Sequence, residues 1–253
     1  MLVIRDATMT VLRDVARARF EQKLCGIFAR AYPRECRQAG GEQAMLRWVQ
    51  HGVRQATDAG YKTQQQSGRW LALMMMLGAE FARDPQLPWV APCLDEEQLP
   101  DATDRLDRLF EEALDYLART AGEDAELVVR ALLRIRAVDT SRIPDLQEPE
   151  AVADTCRRLE AIYPEKFACH GPELTAARTA DQRHTAADLG LEDSAGVFVF
   201  VLLSFMLGSG FHRDPLHPWA AEALEPAKDG TTRSARLEAA ARDHLASSLT
   251  NAE

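Results

Sequence analysis

The sequence predicts an all-α protein: two tandem, related multi-helix repeats in pseudo-twofold arrangement, packed into one globular unit with a helical insert between them. Three observations carry this. Apolar residues recur with helical spacing along most of the chain, and no run of any length alternates as a strand would. Met76 to Trp89 reads MLGAEFARDPQLPW and Met206 to Trp219 reads MLGSGFHRDPLHPW, nine of fourteen positions identical at an offset of 130. The match extends outward, with Gly60 facing Gly190 and Leu94 facing Leu224 at the same offset, and Tyr32-Pro33 facing Tyr163-Pro164 after a one-residue gap.

Taken in order, Phe20, Leu24, Ile27, Phe28 and Ala31 form the apolar stripe of a first helix that Pro33 stops. After the Gly40-Gly41 turn, Met45, Trp48, Val49, Val53 and Ala56 mark a second helix, which Gly60 can end in a left-handed cap. Thr63 to Gln66 fits a capping box ahead of a third helix, apolar from Leu71 to Leu77 and stopped by Asp84, because Pro85 disfavours helix at the residue before it. One more turn can follow Pro88. In the second copy Asp193 or Ser194 caps the equivalent apolar helix. Its VFVFVLL run is β-prone by composition, but its counterpart WLALMMML is helix-prone, and the repeat decides for helix. The uncharged stretch Ser194 to Phe211 is 18 residues, the lower edge of a membrane span, and reads as a central helix buried on all sides.

Between the copies Leu106, Leu109, Phe110, Ala113, Leu114 and Leu117 mark a helix that Gly122 breaks, and another runs to about Val138. A last helix follows Thr231-Thr232, with fraying expected at the final residues. The domain expectation is a first repeat over 1–98, an acidic helical insert over 99–147, a second repeat over 148–230, and a C-terminal helix and tail over 231–253.

The chain has 253 residues, a 46% hydrophobic fraction and a net charge of −9, which support a packed core and argue against nucleic acid as a partner. Five widely spaced cysteines, none in a CxxC, read as reduced thiols of a cytoplasmic protein, and Asp6 and Asp14 fall where an export signal would be apolar. No GxSxG, HExxH or phosphate-binding loop occurs. His212 and His217, Cys169-His170 and His184 lack ligand spacing, so neither a metal nor a cofactor is expected. Glu35, Glu80 and Glu165 read as isolated, solvated or capping carboxylates.

Two features remain as candidate sites. The first is the repeated box. Phe81, Asp84, Trp89 and their counterparts Phe211, Asp214, Trp219 read as a helix stop sealed by a tryptophan whose indole N–H finds an acceptor, with Arg83 and Arg213 holding the aspartates or a helix C-terminal carbonyl; the alternative is a recognition surface anchored on exposed Arg and Trp. The second is the stretch Asp95 to Glu126, with twelve acids against three arginines. It is either a solvated helix face or a docking face for a basic protein, through Glu96, Glu97, Asp104, Asp107, Glu111, Glu112 and Asp115.

The opening MLVIRDATMTVLRDVARARFEQKL, followed by GYKTQQQSGRWLALMMMLGAEFARDPQLPW, resembles small helical bacterial proteins encoded beside type VI secretion spike and toxin genes. The likeness covers about the first 95 residues, and the second box echoes it. It implies a cytosolic accessory role: an immunity protein that neutralises a toxin, or a chaperone that loads it; no catalytic residue is carried over from it. The expected partner is that toxin or effector, with no membrane span in this chain and a homodimer possible. The competing expectation is a helical small-molecule or lipid binder, or an enzyme, with an apolar pocket lined by Met74, Met75, Met76 and the Phe198 to Phe205 aromatics. A third is a self-associating structural module.

Overall fold

The computed structural model describes residues 6–226 and 231–249. These form thirteen α-helices and three short 3-10 turns, with no strand among the described residues. The final residues, 250–253, where fraying is expected, lie outside them, as do residues 1–5 of the opening.

The first half comprises α1 (Asp6–Ala31), α2 (Pro33–Gln38), α3 (Glu42–Asp58), α4 (Gln64–Leu77), a 3-10 turn Phe81–Arg83, α5 (Val90–Leu94) and α6 (Ala102–Thr120). After α7 (Glu126–Arg136) and the turn Thr140–Arg142, the second half runs through α8 (Glu150–Ile162), α9 (Pro164–His170), α10 (Pro172–Asp188), α11 (Ser194–Leu207), the turn Phe211–Arg213, α12 (Pro218–Leu224) and α13 (Arg233–Leu249). The bounds of α3, α4 and the first turn recur in α10, α11 and the third turn, each displaced by 130.

Local chemistry explains these bounds. Pro33 and Pro164 open α2 and α9, where a missing amide costs nothing. The Thr63 hydroxyl accepts from the Gln66 amide while the Gln66 side chain accepts from the Thr63 amide, a complete capping box. Asp193 and Asp101 cap α11 and α6 through amides two or three residues on. Helix α4 ends at Leu77, before the Asp84 stop expected from Pro85, because Gly78 leaves helical space at φ 97, ψ 154; Gly208 does the same after α11 at φ 96, ψ 152. Only glycine populates that region readily. A Cβ on Gly78 would also lie 2.9 Å from the Leu207 carbonyl oxygen. Gly78→Ala is expected to lower stability by at least about 2 kcal/mol, read as the urea midpoint, since backbone strain and a backbone clash add.

Two cores result. Trp48, Tyr61, Trp70, Leu71, Phe81 and Leu106 centre the first, and Phe198, Phe200, Phe211 and Leu237 the second. Helix α6 belongs to the first, burying Leu106, Leu109, Ala113 and Tyr116 there, whereas α7 places Ala131 in the second. The segment 99–147 read as one insert is thus divided between the cores, α6 closing the first half as α13 closes the second.

Two apolar residues sit differently from their expected stripes. Ile27 and Leu114 are 42% and 57% exposed, because each lies at the edge of a stripe whose centre is already filled. The α11 stretch is buried on most sides, but Leu203, Met206 and Leu207 are only half-buried. At 14 residues α11 is short, and no described helix is long and apolar enough to cross a membrane. Helix α1 begins well before the Phe20 stripe, and Val11, Leu12 and Val15 on that extension are exposed.

Candidate functional site

The two boxes meet at the junction of the halves, and they meet reciprocally. The buried Asp84 carboxylate accepts from the Ser209 amide at 2.9 Å and the Ser209 hydroxyl at 2.6 Å, as well as from its own Gln86 amide at 2.9 Å. Asp214 accepts from the Ala79 amide at 3.3 Å and from its own Leu216 amide at 2.8 Å. Each aspartate therefore caps its own turn and the opposite one. Arg83 and Arg213 do not hold the aspartates, as the sequence led us to expect; both are exposed, because backbone amides already occupy the carboxylate oxygens. The closing helices also cross over. The Tyr116 hydroxyl of α6 lies 3.1 Å from His170 Nε2 at the end of α9, and Gln38 of α2 donates to the Ser247 hydroxyl of α13 at 2.8 Å.

Burial shapes the electrostatics here. It pushes the Asp214 carboxyl up to about 6, only partly offset by the two amides. It pulls the Lys166 ammonium down to about 8, with the nearby Asp84 charge opposing the fall, and Lys166 donates to the Phe205 carbonyl. Glu80, expected to stand alone, instead pairs with His51 at 2.8 Å; that hydrogen bond draws its carboxyl below the usual carboxylate range. The side chain fits because its counterpart at the offset of 130 is Gly210, where a Cβ would come 2.5 Å from Glu80 Cγ. A cavity of about 320 Å3 lies at the junction, lined by paired positions of the two boxes, Met76 with Met206 and Asp84 with Asp214 among them, and by Glu35 and Lys166.

Trp89 and Trp219 occupy comparable places at the rims of their cores. Trp89 packs on Tyr116 of α6 at 5.9 Å between ring centres, and Trp219 stacks on His244 of α13 at 4.9 Å. Neither indole N–H finds the expected acceptor among the described residues, because each faces an aromatic ring and apolar neighbours. Phe81 and Phe211 are fully buried.

The acidic candidates fall on the α5–α6 loop and on α6. Asp101 caps the helix through the Thr103 and Asp104 amides, and these hydrogen bonds hold its carboxyl low. Arg105 is buried and donates to the Leu99 and Pro100 carbonyls and to Glu96, so Glu96 helps fasten the loop. Asp107 pairs with Arg69 of α4 at 2.6 Å, Glu112 with Arg108 at 2.7 Å, and Asp115 with Arg119 at 2.9 Å. Glu97, Asp104 and Glu111 are exposed and have no ion pair among the described residues. Asp104, Asp107, Glu111 and Asp115, spaced by three or four residues, share one exposed line of the helix with Leu114 beside it. The structure thus brings five of the seven candidates onto one helix and leaves Glu96 and Glu97 on the loop before it. Leu114 was missed because its spacing also fits the buried stripe.

All five cysteines are unbridged, three of them buried. No group of three or more His, Cys, Asp or Glu among the described residues is placed to hold a metal. His217 and His244 lie ring to ring at 5.5 Å, and burial lowers each to about 4. The fold and its junction define a class: an all-helical protein with two cores, tied together by exchanged aspartate caps. Comparison with protein-family models, curated proteins and solved structures finds no match.

Proposed function

We propose that this is a non-catalytic binding protein that holds a basic protein partner on the outer face of α6. Following the resemblance of its opening and first box, we read that partner as a type VI secretion toxin that this protein neutralises. One observation carries the reading. Helix α6 spends its apolar side on the first core, while Asp104, Asp107, Glu111 and Asp115 line its outer side around the exposed Leu114. A charged rim around an apolar contact is the pattern of a protein interface, and the two acids of the line without an ion pair among the described residues, Asp104 and Glu111, would steer a basic partner. The reciprocal contacts at the junction support reading the halves as copies of one module, with the boxes as structural fasteners.

The test is Glu111→Lys, Glu112→Lys and Asp115→Lys together, titrated against the toxin encoded beside the gene at two salt concentrations. The expected result is about a hundredfold loss of affinity, with strong salt dependence in the parent. Stability should fall by no more than about 1 kcal/mol per exposed ion pair broken. Unchanged affinity, or no binding by the parent protein, would overturn the reading. A loading chaperone would bind equally but would not protect cells that make the toxin.

A further inference from the structure

A trough of about 930 Å3 opens between α7, α11 and α13, independent of the α6 face. That volume is near the top of the range for small-molecule sites. Val128, Val129 and Leu132 of α7, Leu203 and Met206 of α11, and Leu245 of α13 line it. Protein interiors seldom leave apolar side chains facing such a space. Helix α7 is amphipathic yet fully buries only Ala131; its remaining apolar residues stay half-buried, and Leu133 is 51% exposed. Leu127, Val128 and Ile135 touch the second core, but Val129, Leu132 and Leu133 do not, so core packing accounts for only part of that apolar face.

The first half shows what closing this surface looks like. At the α4 position equivalent to Val199 stands Arg69, whose guanidinium pairs with Asp107 of α6 and lies 4.8 Å from the centre of the Phe110 ring. In α11 the same position is Val199, a trough wall, and a third helix, α7, stands off to one side. The opening is thus written into the second half's own residues.

The polar groups on the lining restrict what fits. Glu238 accepts from the Thr140 hydroxyl and from Arg242, so its charge is already matched. Arg136, at the end of α7, also lines the trough; it is exposed and has no ion-pair partner among the described residues. Helix α7 carries Arg130, Arg134 and Arg136 against the single acid Glu126. An apolar trough with a guanidinium on its lining matches a chain with an anionic head, and a carboxylate matches the guanidinium fork in geometry. We propose that the trough binds a long-chain fatty carboxylate, its chain along α11 and its head on Arg136.

Dodecanoate, used below its micelle concentration with the full-length protein, tests this by displacing the fluorescent fatty acid cis-parinarate. Displacement is expected to saturate, and dodecanoate is expected to raise the melting temperature in step with its concentration. Arg136→Glu should weaken dodecanoate by about tenfold or more, since a charge-assisted contact is lost, and leave dodecanol within about twofold. Met206→Trp should narrow the trough and weaken binding of both. Because Arg136 is exposed, its reversal keeps the fold and the test decisive even if Met206→Trp fails to fold. Absence of displacement in the parent protein, or equal weakening of dodecanoate and dodecanol by Arg136→Glu, would overturn the proposal.

Discussion

Asp84→Ala is expected to lower stability by about 3–5 kcal/mol, a large share of what holds a typical protein folded. The substitution strips the acceptor from the buried Gln86 amide and from the half-buried Ser209 amide and hydroxyl. It also removes a nearby negative charge that favours the buried Lys166 ammonium, which is not ion-paired with Asp84 but donates to the Phe205 carbonyl. Asp214→Ala should cost clearly less, although it occupies the equivalent place in the other box. Asp214 is held by two amides, one of them at 3.3 Å, and its carboxylate is already disfavoured by burial, which lifts it to about 6. Urea unfolding of both variants at pH 7 checks the pair. Equal losses, or a loss under about 1 kcal/mol for Asp84→Ala, would show that the exchanged caps do not fasten the halves as described.

Acidification is expected to unfold the protein well before its carboxylates are all protonated. His170, His217 and His244 are lowered by burial to about 3, 4 and 4 respectively; Lys166 adds to the shift of His170, and His217 and Arg34 to that of His244. Between the ordinary histidine value near 6.5 and these folded values, the unfolded chain takes up protons that the native state refuses. Their contribution is therefore complete above about pH 6.5 and is lost as the pH falls toward 4. Asp214 acts in the opposite sense, because its folded value of about 6 lies above the ordinary 3.8, so falling pH relieves a penalty. Three rings outweigh one carboxylate, and the net loss by pH 4.5 is expected to be about 3 kcal/mol, after allowing for the rings' partial exposure. Urea midpoints at pH 7, 5.5 and 4.5 measure it, and His244→Gln should flatten the slope. A midpoint that holds or rises on acidification would contradict this account.

The helices themselves were legible because their signals are local. The Thr63–Gln66 box, Pro33 as the stop of α1, the glycines after α3 and α4, and the 3.6-residue stripe of α6 act within a few residues, whereas α2 and α9, opened by Pro33 and Pro164, were not anticipated. The repeated box was legible by its identity at a fixed offset, which also overrode the β-prone composition of α11. One further signal was present: where the boxes are aligned, Glu80 faces Gly210, and that mismatch marks the room Glu80 fills across the junction. Of the candidate sites, the acidic run was visible as charge, but which acids stay unpaired was not. Asp107 meets Arg69 from a helix 38 residues earlier in the chain, and no spacing rule reaches that far.

By itself, then, the sequence determined the helical class, several of the caps and stops that bound the helices, and the likeness of the two boxes, since each follows from contacts within a turn or two or from direct identity. Only the tertiary structure decided that Asp84 and Asp214 serve each other's turns, that α6 completes the first core, that Leu114 stands outside it, and that a trough opens beside α11. Those outcomes depend on which surfaces the packed halves leave over, and a one-dimensional pattern of polar and apolar residues does not specify its own partner across more than a hundred residues of chain.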